Sequence, residues 1–277
     1  MSDPLGVDSC IRLADGVEIP RLGLGVYQSR PGEETRRAVV AALAAGYRHV
    51  DTARVYGNER DVGAALRESG VPRERVFVTT KLWNADHGYD ATLRAVDASL
   101  SRLGLEQLDL YLVHWPVEGL RRDTWRAMEE IRAAGKARSI GVSNYTPRHL
   151  EELLGHARVP PSVDQVELHP FLRQDALEAF ARLHRVQVEA YAPLAKALRM
   201  DHPTLRAVAA RHGKTPAQVL VRWGLQRDLV VIPKSVRPER IRENAQVFDF
   251  ALDDADLKAL RGLDEGLRTS WDPTGAP

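Results

Sequence analysis

The chain has 277 residues, 44% of them hydrophobic, and its 39 basic and 38 acidic side chains leave a net charge of +1. So even a balance gives no overall field for nucleic acid or a membrane surface. Cys10 is the only cysteine, which excludes an intrachain disulfide and a cysteine-built zinc or iron–sulfur centre. The N-terminal stretch MSDPLGVDSC lacks a basic segment followed by an apolar run, and no window approaches the roughly 20 apolar residues of a membrane span. The expectation is a soluble, cytoplasmic, monomeric protein.

In chain order, Ile11–Pro20 carries Asp15–Gly16 between short apolar stretches, a hairpin signal. Strands and helices then alternate. Leu22–Val26 reads as a strand, and Glu34–Ala45 as a helix with Val39, Val40 and Leu43 on one side. In Tyr47–Asp51 the residues Tyr47, His49 and Asp51 share one strand face, and a helix over Asn58–Ser69 follows, with Asn58 as N-cap. Strands at Val76–Thr80, Leu108–Val113, Ala137–Val142, Val163–Val166, Val186–Ala190 and Leu229–Ile232 come next. Helices are expected near Ala91–Leu103, Arg122–Ala134, Arg148–Leu154, Asp175–Leu183, Thr204–Arg211, Pro216–Gln226, Pro238–Ala245 and Asp253–Leu260.

From Leu22 onward this gives eight strand–helix units, which means parallel strands with helical crossovers. Eight units in about 250 residues suit a closed barrel. An open doubly wound sheet would carry Gly-x-Gly-x-x-Gly after its first strand, but Gly23-Leu24-Gly25 continues as Val26, Tyr27 and Gln28. The fold predicted is an α/β (β/α)8 TIM barrel in one domain over 1–277, with residues 10–20 as an N-terminal hairpin, extra C-terminal helices and residues 262–277 as a tail.

A barrel builds its site where the strands end. Those positions carry Asp51, Lys81, His114, Ser143 with Asn144, Gln165, Tyr191, and Lys234 with Ser235. Each alone has an ordinary structural explanation. Seven of eight strands ending this way concentrate functional groups on one rim.

GYRHVDTARVYGNE (46–59), TTKLW (79–83), LVHWP (112–116), GVSNY (141–145), Gln165-Val166-Glu167 and IPKSVRPERIRENAQVF (232–248) resemble, in the same order, the motifs of the aldo-keto reductase family. The form most resembles bacterial 2,5-diketo-D-gluconate reductase-like members. The resemblance implies reduction of aldehydes and ketones, the hydride coming from NADPH, with Asp51, Tyr56, Lys81 and His114 as the catalytic four. The residues can supply that chemistry. A carbonyl accepting hydride needs a proton on its oxygen, and Tyr56 is the acid. A free phenol titrates near 10, and Lys81, kept ionised by Asp51, is expected to lower that value. His114 can donate a hydrogen bond to the substrate oxygen.

Lys234 and Ser235 precede a helix with Pro238 in its first turn, and Arg240, Glu243 and Asn244 share one face of it. A helix N-terminus beside Lys and Arg is an anion site. By resemblance, Lys234, Ser235 and Arg240 grip the 2′-phosphate of NADPH, and Glu243 and Asn244 contact adenine. Ser143, Asn144 and Gln165 resemble the carboxamide-binding residues, and Tyr191 the ring that stacks on nicotinamide, followed by Leu194. The stretch Tyr191–Lys196 departs from a family segment richer in serine and glycine, and Lys196 offers a charge in place of the lost hydroxyls. Tyr27, Trp83 and Trp115 follow strands and should wall the substrate pocket, with Trp271 of the tail closing it. No HExxH occurs among the nine histidines, and no metal is expected. Two other readings stay open: a nucleotide-binding protein with a structural or regulatory role, and a barrel aldolase using Lys81 as a Schiff-base amine.

Overall fold

The computed structural model describes residues 5–277; the first four residues of the N-terminal stretch lie outside the described residues. Strands β1 (Cys10–Arg12) and β2 (Glu18–Pro20) pair antiparallel, Ile11 opposite Ile19, around the Asp15–Gly16 turn. Gly16 sits at φ +90, a conformation that favours glycine. The turn covers one end of the barrel, where Asp15 Oδ2 accepts from Ser139 Oγ (2.6 Å) and Ser162 Oγ (2.7 Å). Leu13 and Ile19 join Phe77, Leu110, Leu112, Val163 and Val230 in an apolar cluster.

The barrel strands are β3 (Leu24–Gly25), β4 (His49–Asp51), β5 (Phe77–Leu82), β6 (Leu108–Val113), β7 (Ala137–Ser143), β8 (Val163–Glu167), β9 (Gln187–Tyr191) and β10 (Val230–Ile232). All pair in parallel with their sequence neighbours. Closure comes from Gly23 N–H to Val231 O (2.9 Å) and Val231 N–H to Arg21 O (2.8 Å). The predicted eight-stranded barrel is therefore observed. Its first strand is only two residues long, shorter than the Leu22–Val26 expected, and Leu22 contributes only an isolated bridge to Val231.

The helices are α1 (Glu33–Ala44), α2 (Glu59–Glu68), α3 (Tyr89–Leu103), α4 (Arg121–Ala133), α5 (Pro147–Leu154), α6 (Asp175–Leu183), α7 (Pro203–Arg211), α8 (Pro216–Gln226), α9 (Pro238–Ala245) and α10 (Asp254–Arg261). Eight complete the strand–helix units, and the extra pair, α7 and α10, pack on each other. Gly63 lets α2 approach α3: a Cβ there would lie 2.0 Å from the Leu103 carbonyl oxygen.

Alternation along the strands sorts side chains into two layers. Val50, Val78, Tyr111, Ile140, Val166, Val188 and Val231 pack outward against the helices in the main core. Their neighbours point into the barrel, apolar towards the hairpin and polar towards the opposite rim. Two local expectations fail. Tyr47 precedes β4 and donates to Ile241 O (3.1 Å) on α9, so the inward polar residues of that strand are His49 and Asp51. Asn58 stands at the N-cap of α2 without capping it: its Oδ1 accepts from Thr52 Oγ1 (2.7 Å) and its Nδ2 donates to Val26 O (3.1 Å). A buried amide has four bonding sites to satisfy, and long-range partners take precedence over the local cap.

Candidate active site

Asp51 ends β4 and Lys81 lies one residue before the end of β5, so both side chains enter the barrel near its rim. The Lys81 ammonium has no exposed surface and donates to Asp51 Oδ1 (2.6 Å), Asp51 Oδ2 (2.7 Å) and Thr52 O (3.0 Å). Its fourth neighbour is the Tyr56 hydroxyl at 3.4 Å, and its charge lies 5.1 Å from the Tyr56 ring centroid. Tyr56 is carried by a 3-10 turn, Arg54–Tyr56, ended by Gly57 in the left-handed conformation. Across from it the His114 ring meets Tyr56 edge-on at 5.7 Å. The four residues read from the sequence thus converge.

The charge states follow from burial. The His114 pKa lies well below the usual imidazole value, first because of burial and then because of Lys81, so the ring is neutral. Burial raises the Asp51 pKa, while Lys81 and the Gln165 amide, which donates to Oδ2 at 2.8 Å, hold it back. The Tyr56 phenol is pushed well above its ordinary value, by burial first and then by Asp51. This reverses the expected lowering by Lys81. The ammonium is 2.6 Å from a carboxylate oxygen and 3.4 Å from the phenol, so the phenol faces a nearly neutral pair and burial decides its shift.

Beside this group runs a cleft of about 1080 Å³. Every other residue predicted for the site lines it, while Lys81 lies beneath its floor. Ser143, Asn144, Gln165 and Tyr191 form one hydrogen-bonded floor: Ser143 Oγ donates to Gln165 O (2.7 Å), Asn144 Nδ2 to His114 O (3.0 Å), and Tyr191 Oη to Asn144 Oδ1 (2.8 Å). Asn144 adopts φ +63 to reach both neighbours. At the far end, Lys234, Ser235 and Arg240 flank the start of α9, with Glu243 and Asn244 one turn on. Lys234 and Arg240 are exposed and form no ion pair among the described residues, so both cations face the cleft available to an anionic ligand. Glu243 Oε1 accepts from Thr215 Oγ1 (2.6 Å).

Tyr27, Trp83 and Trp115 line the opposite end, and Trp271 lies over it, 6.3 Å from Trp83 and 6.0 Å from Trp115 between ring centroids. The tail carrying Trp271 is held by Glu167, whose Oε1 accepts from Thr269 N–H (2.8 Å) and whose Oε2 accepts from Ser270 N–H (3.0 Å). Among the described residues, no group of three or more His, Cys, Asp or Glu is placed to hold a metal ion, and no helix is long and apolar enough to cross a membrane.

The family model described as aldo/keto reductase matches residues 21–265. The chain belongs to the aldo/keto reductase family. It is 51% identical to an aldo-keto reductase of Mycolicibacterium smegmatis, covering 95% of this chain and 96% of that protein. It is 45% identical to the glyoxal reductase of Bacillus subtilis over 98% of each. The crystal structure of a Bombyx mori aldo-keto reductase in complex with NADP superposes with a TM-score of 0.89 at 37% identity, covering 94% of each chain.

This aldo/keto reductase departs from the sequence reading at the loop after β9. Ala192, Ala195, Lys196 and Ala197 all adopt positive φ, between +46 and +63. Such conformations are unfavourable without glycine. Lys196 lines the cleft, but its ammonium donates to Thr269 O of the tail, so it is not simply a free charge replacing lost hydroxyls. The sequence reading also missed Glu189. Its signal was available: it lies two residues before Tyr191 on the same strand, and so on the same inward face.

Proposed function

We propose that this protein reduces small aldehydes and ketones to alcohols with NADPH, and that Tyr56 gives the proton to the carbonyl oxygen. The observation that carries this reading is the Tyr56 hydroxyl, placed between the buried Lys81 ammonium and the His114 ring at the edge of the cleft. Bound NADPH supplies the hydride. The unpaired Lys234 and Arg240 suit its 2′-phosphate, with Ser235 between them. Glu243 and Asn244 suit its adenine end, and Tyr191, Ser143, Asn144 and Gln165 its nicotinamide end, with Leu194 lining the stretch between.

On the carbonyl side the chain's own groups do the rest. Neutral His114 donates a hydrogen bond to the substrate oxygen and orients it. Tyr56 stands protonated, and as charge develops on that oxygen it transfers its proton, since an alkoxide is a far stronger base than a phenolate. Lys81 stabilises the phenolate so formed, and Asp51 fixes Lys81. An amine wholly buried and bonded to Asp51, Thr52 and Tyr56 is poorly presented as a Schiff-base nucleophile.

The aromatic mouth formed by Tyr27, Trp83, Trp115 and Trp271 favours compact, planar carbonyls. Dicarbonyls such as glyoxal, in keeping with the Bacillus subtilis relative, are the proposed substrates, together with sugar-derived carbonyls including 2,5-diketo-D-gluconate. A panel of these followed by loss of NADPH absorbance tests the class. Tyr56→Phe should retain NADPH binding and lose about 10²- to 10⁴-fold in turnover; near-normal turnover in that variant removes Tyr56 from the mechanism.

A further inference from the structure

A carboxyl group that the mechanism above does not use lies 3.7 Å from His49, two residues before Asp51 on β4 and so one layer below the Asp51–Lys81 pair. Glu189 on β9 is wholly buried, and neither of its oxygens has a hydrogen-bond partner among the described residues. Its nearest basic group is His49 Nε2, 3.7 Å from Oε1. That imidazole already bonds Thr79 Oγ1 at 3.0 Å, and burial, followed by the Lys81 charge, depresses its pKa to about 3. A neutral ring carries no charge to offset a carboxylate there. Around Glu189 stand His49 from β4 at 3.7 Å and Gln165, its register neighbour on β8, which itself bonds Asp51 Oδ2 at 2.8 Å; Asp51, Lys81 and Tyr56 act on it through charge. The register neighbour on β10 is the apolar Val230.

Among the described residues, the charged groups acting on Glu189 are therefore one cation, Lys81, and one other carboxyl group, Asp51. Asp51 has both oxygens on Lys81 and one on Gln165, whereas Glu189 touches neither Lys81 nor Asp51 and has only the neighbouring Gln165 amide to favour its charge. A dry site favours the arrangement with no net charge. We propose that Glu189 is a positioning residue for Tyr56: as a neutral acid under the Asp51–Lys81 pair, it keeps the charge beneath the phenol balanced, and its ionisation opposes proton transfer. This inference rests on the reading of Tyr56 as proton donor.

Reduction places negative charge first on the substrate oxygen and then on the Tyr56 oxygen. A second carboxylate below would disfavour both. The Glu189 pKa is pushed up to about 8, first by burial and then by Asp51, with the Lys81 charge and the nearby Gln165 amide opposing in part. A raised acid is neutral below that value, so support for reduction is complete there and is lost as pH rises through it. Tyr56 lies well above this range, and His114 and His49 well below it.

The test is the single-turnover reduction rate against pH for the wild type, Glu189→Gln and Tyr56→Phe. The wild-type rate should fall about tenfold between about pH 7 and about pH 9, while Glu189→Gln, a neutral group of the same shape, should be flat across that range. A Gln variant with the wild-type decline overturns the inference. A Tyr56→Phe variant as fast as the wild type overturns the underlying mechanism instead, so the two failures are separable. Should Glu189→Gln not fold, 13C NMR of the wild type labelled at glutamate Cδ gives the same decision. One carboxyl should remain protonated at neutral pH and titrate near 8; its absence overturns the inference.

Discussion

Replacing Asp51 by asparagine keeps the shape of the side chain and removes the charge that Lys81 depends on. The ammonium has no exposed surface, and two of its contacts within 3.0 Å are to the Asp51 carboxylate. Leaving such a charge without its partner costs about 3–5 kcal/mol. Gln165 also loses its carboxylate acceptor at 2.8 Å. Glu189 is the other carboxyl group facing Lys81, and its ionisation in the variant would recover part of the loss. The lower half of that range is therefore expected. Urea unfolding at neutral pH, followed by tryptophan fluorescence, should measure it. The companion variants are Lys81→Met and the double replacement Asp51→Asn, Lys81→Met. Removing both charges leaves no orphan, so the double variant should be more stable than Asp51→Asn alone. Two results refute the reasoning: Asp51→Asn within about 1 kcal/mol of wild type, or a double variant no more stable than the single one.

Arg240→Ala should raise the KM for NADPH about tenfold or more and leave that for NADH unchanged, since a hydrogen bond to a charged group contributes about 1.5–3 kcal/mol. Equal loss with both cofactors would place Arg240 away from the 2′-phosphate. Gly63→Ala puts a methyl group 2.0 Å from a backbone oxygen of α3, which no side-chain rotation relieves. A loss of about 1–3 kcal/mol is expected, read as a lowered Tm, and an unchanged Tm would contradict the packing. Burial would raise the Glu167 pKa, but bonds from His169 and Thr269 outweigh it and the net shift is downward. A lowered acid stabilises above its unfolded value and loses that contribution as pH falls through the folded one. The tail should therefore release only as pH falls below the ordinary glutamate range, seen as lost exchange protection of the Thr269 and Ser270 amides; protection that does not change as acid is added would contradict it.

The helices were largely legible because their signals are local. Pro238 marks a first turn in the sequence, and the structure adds Pro147 and Pro216 in first turns and capping boxes at Thr146, Thr215 and Asp253. Apolar spacing then places the buried face. What was misread depends on partners far along the chain. Asn58 has the residue type and the position of an N-cap, yet its amide reaches Val26, 32 residues away, and is buried there. Tyr47 alternates correctly with His49, but the strand begins too late to include it, and its hydroxyl goes to α9, 194 residues on. The inward positions of the first strand are glycines pressed against neighbours: a Cβ on Gly23 would lie 2.7 Å from His49 Nδ1.

At the site, residue types and order were enough to bring four groups together, but the direction of a pKa shift required distances. Lys81 beside Tyr56 suggests a more acidic phenol only if its charge acts alone. With Asp51 closer than Tyr56, the pair nearly cancels and burial dominates, so the phenol is held in its protonated form. That arrangement does not hinder a general acid. A phenol that lost its proton at neutral pH would have none to give, whereas a protonated one transfers it once the carbonyl oxygen has become an alkoxide. On the proposed mechanism, Lys81 then matters most after transfer, when it faces a phenolate. The same logic explains why a neutral Glu189 suits the interior: the charge balance that keeps Tyr56 protonated at rest must not also oppose the negative charge that reduction creates.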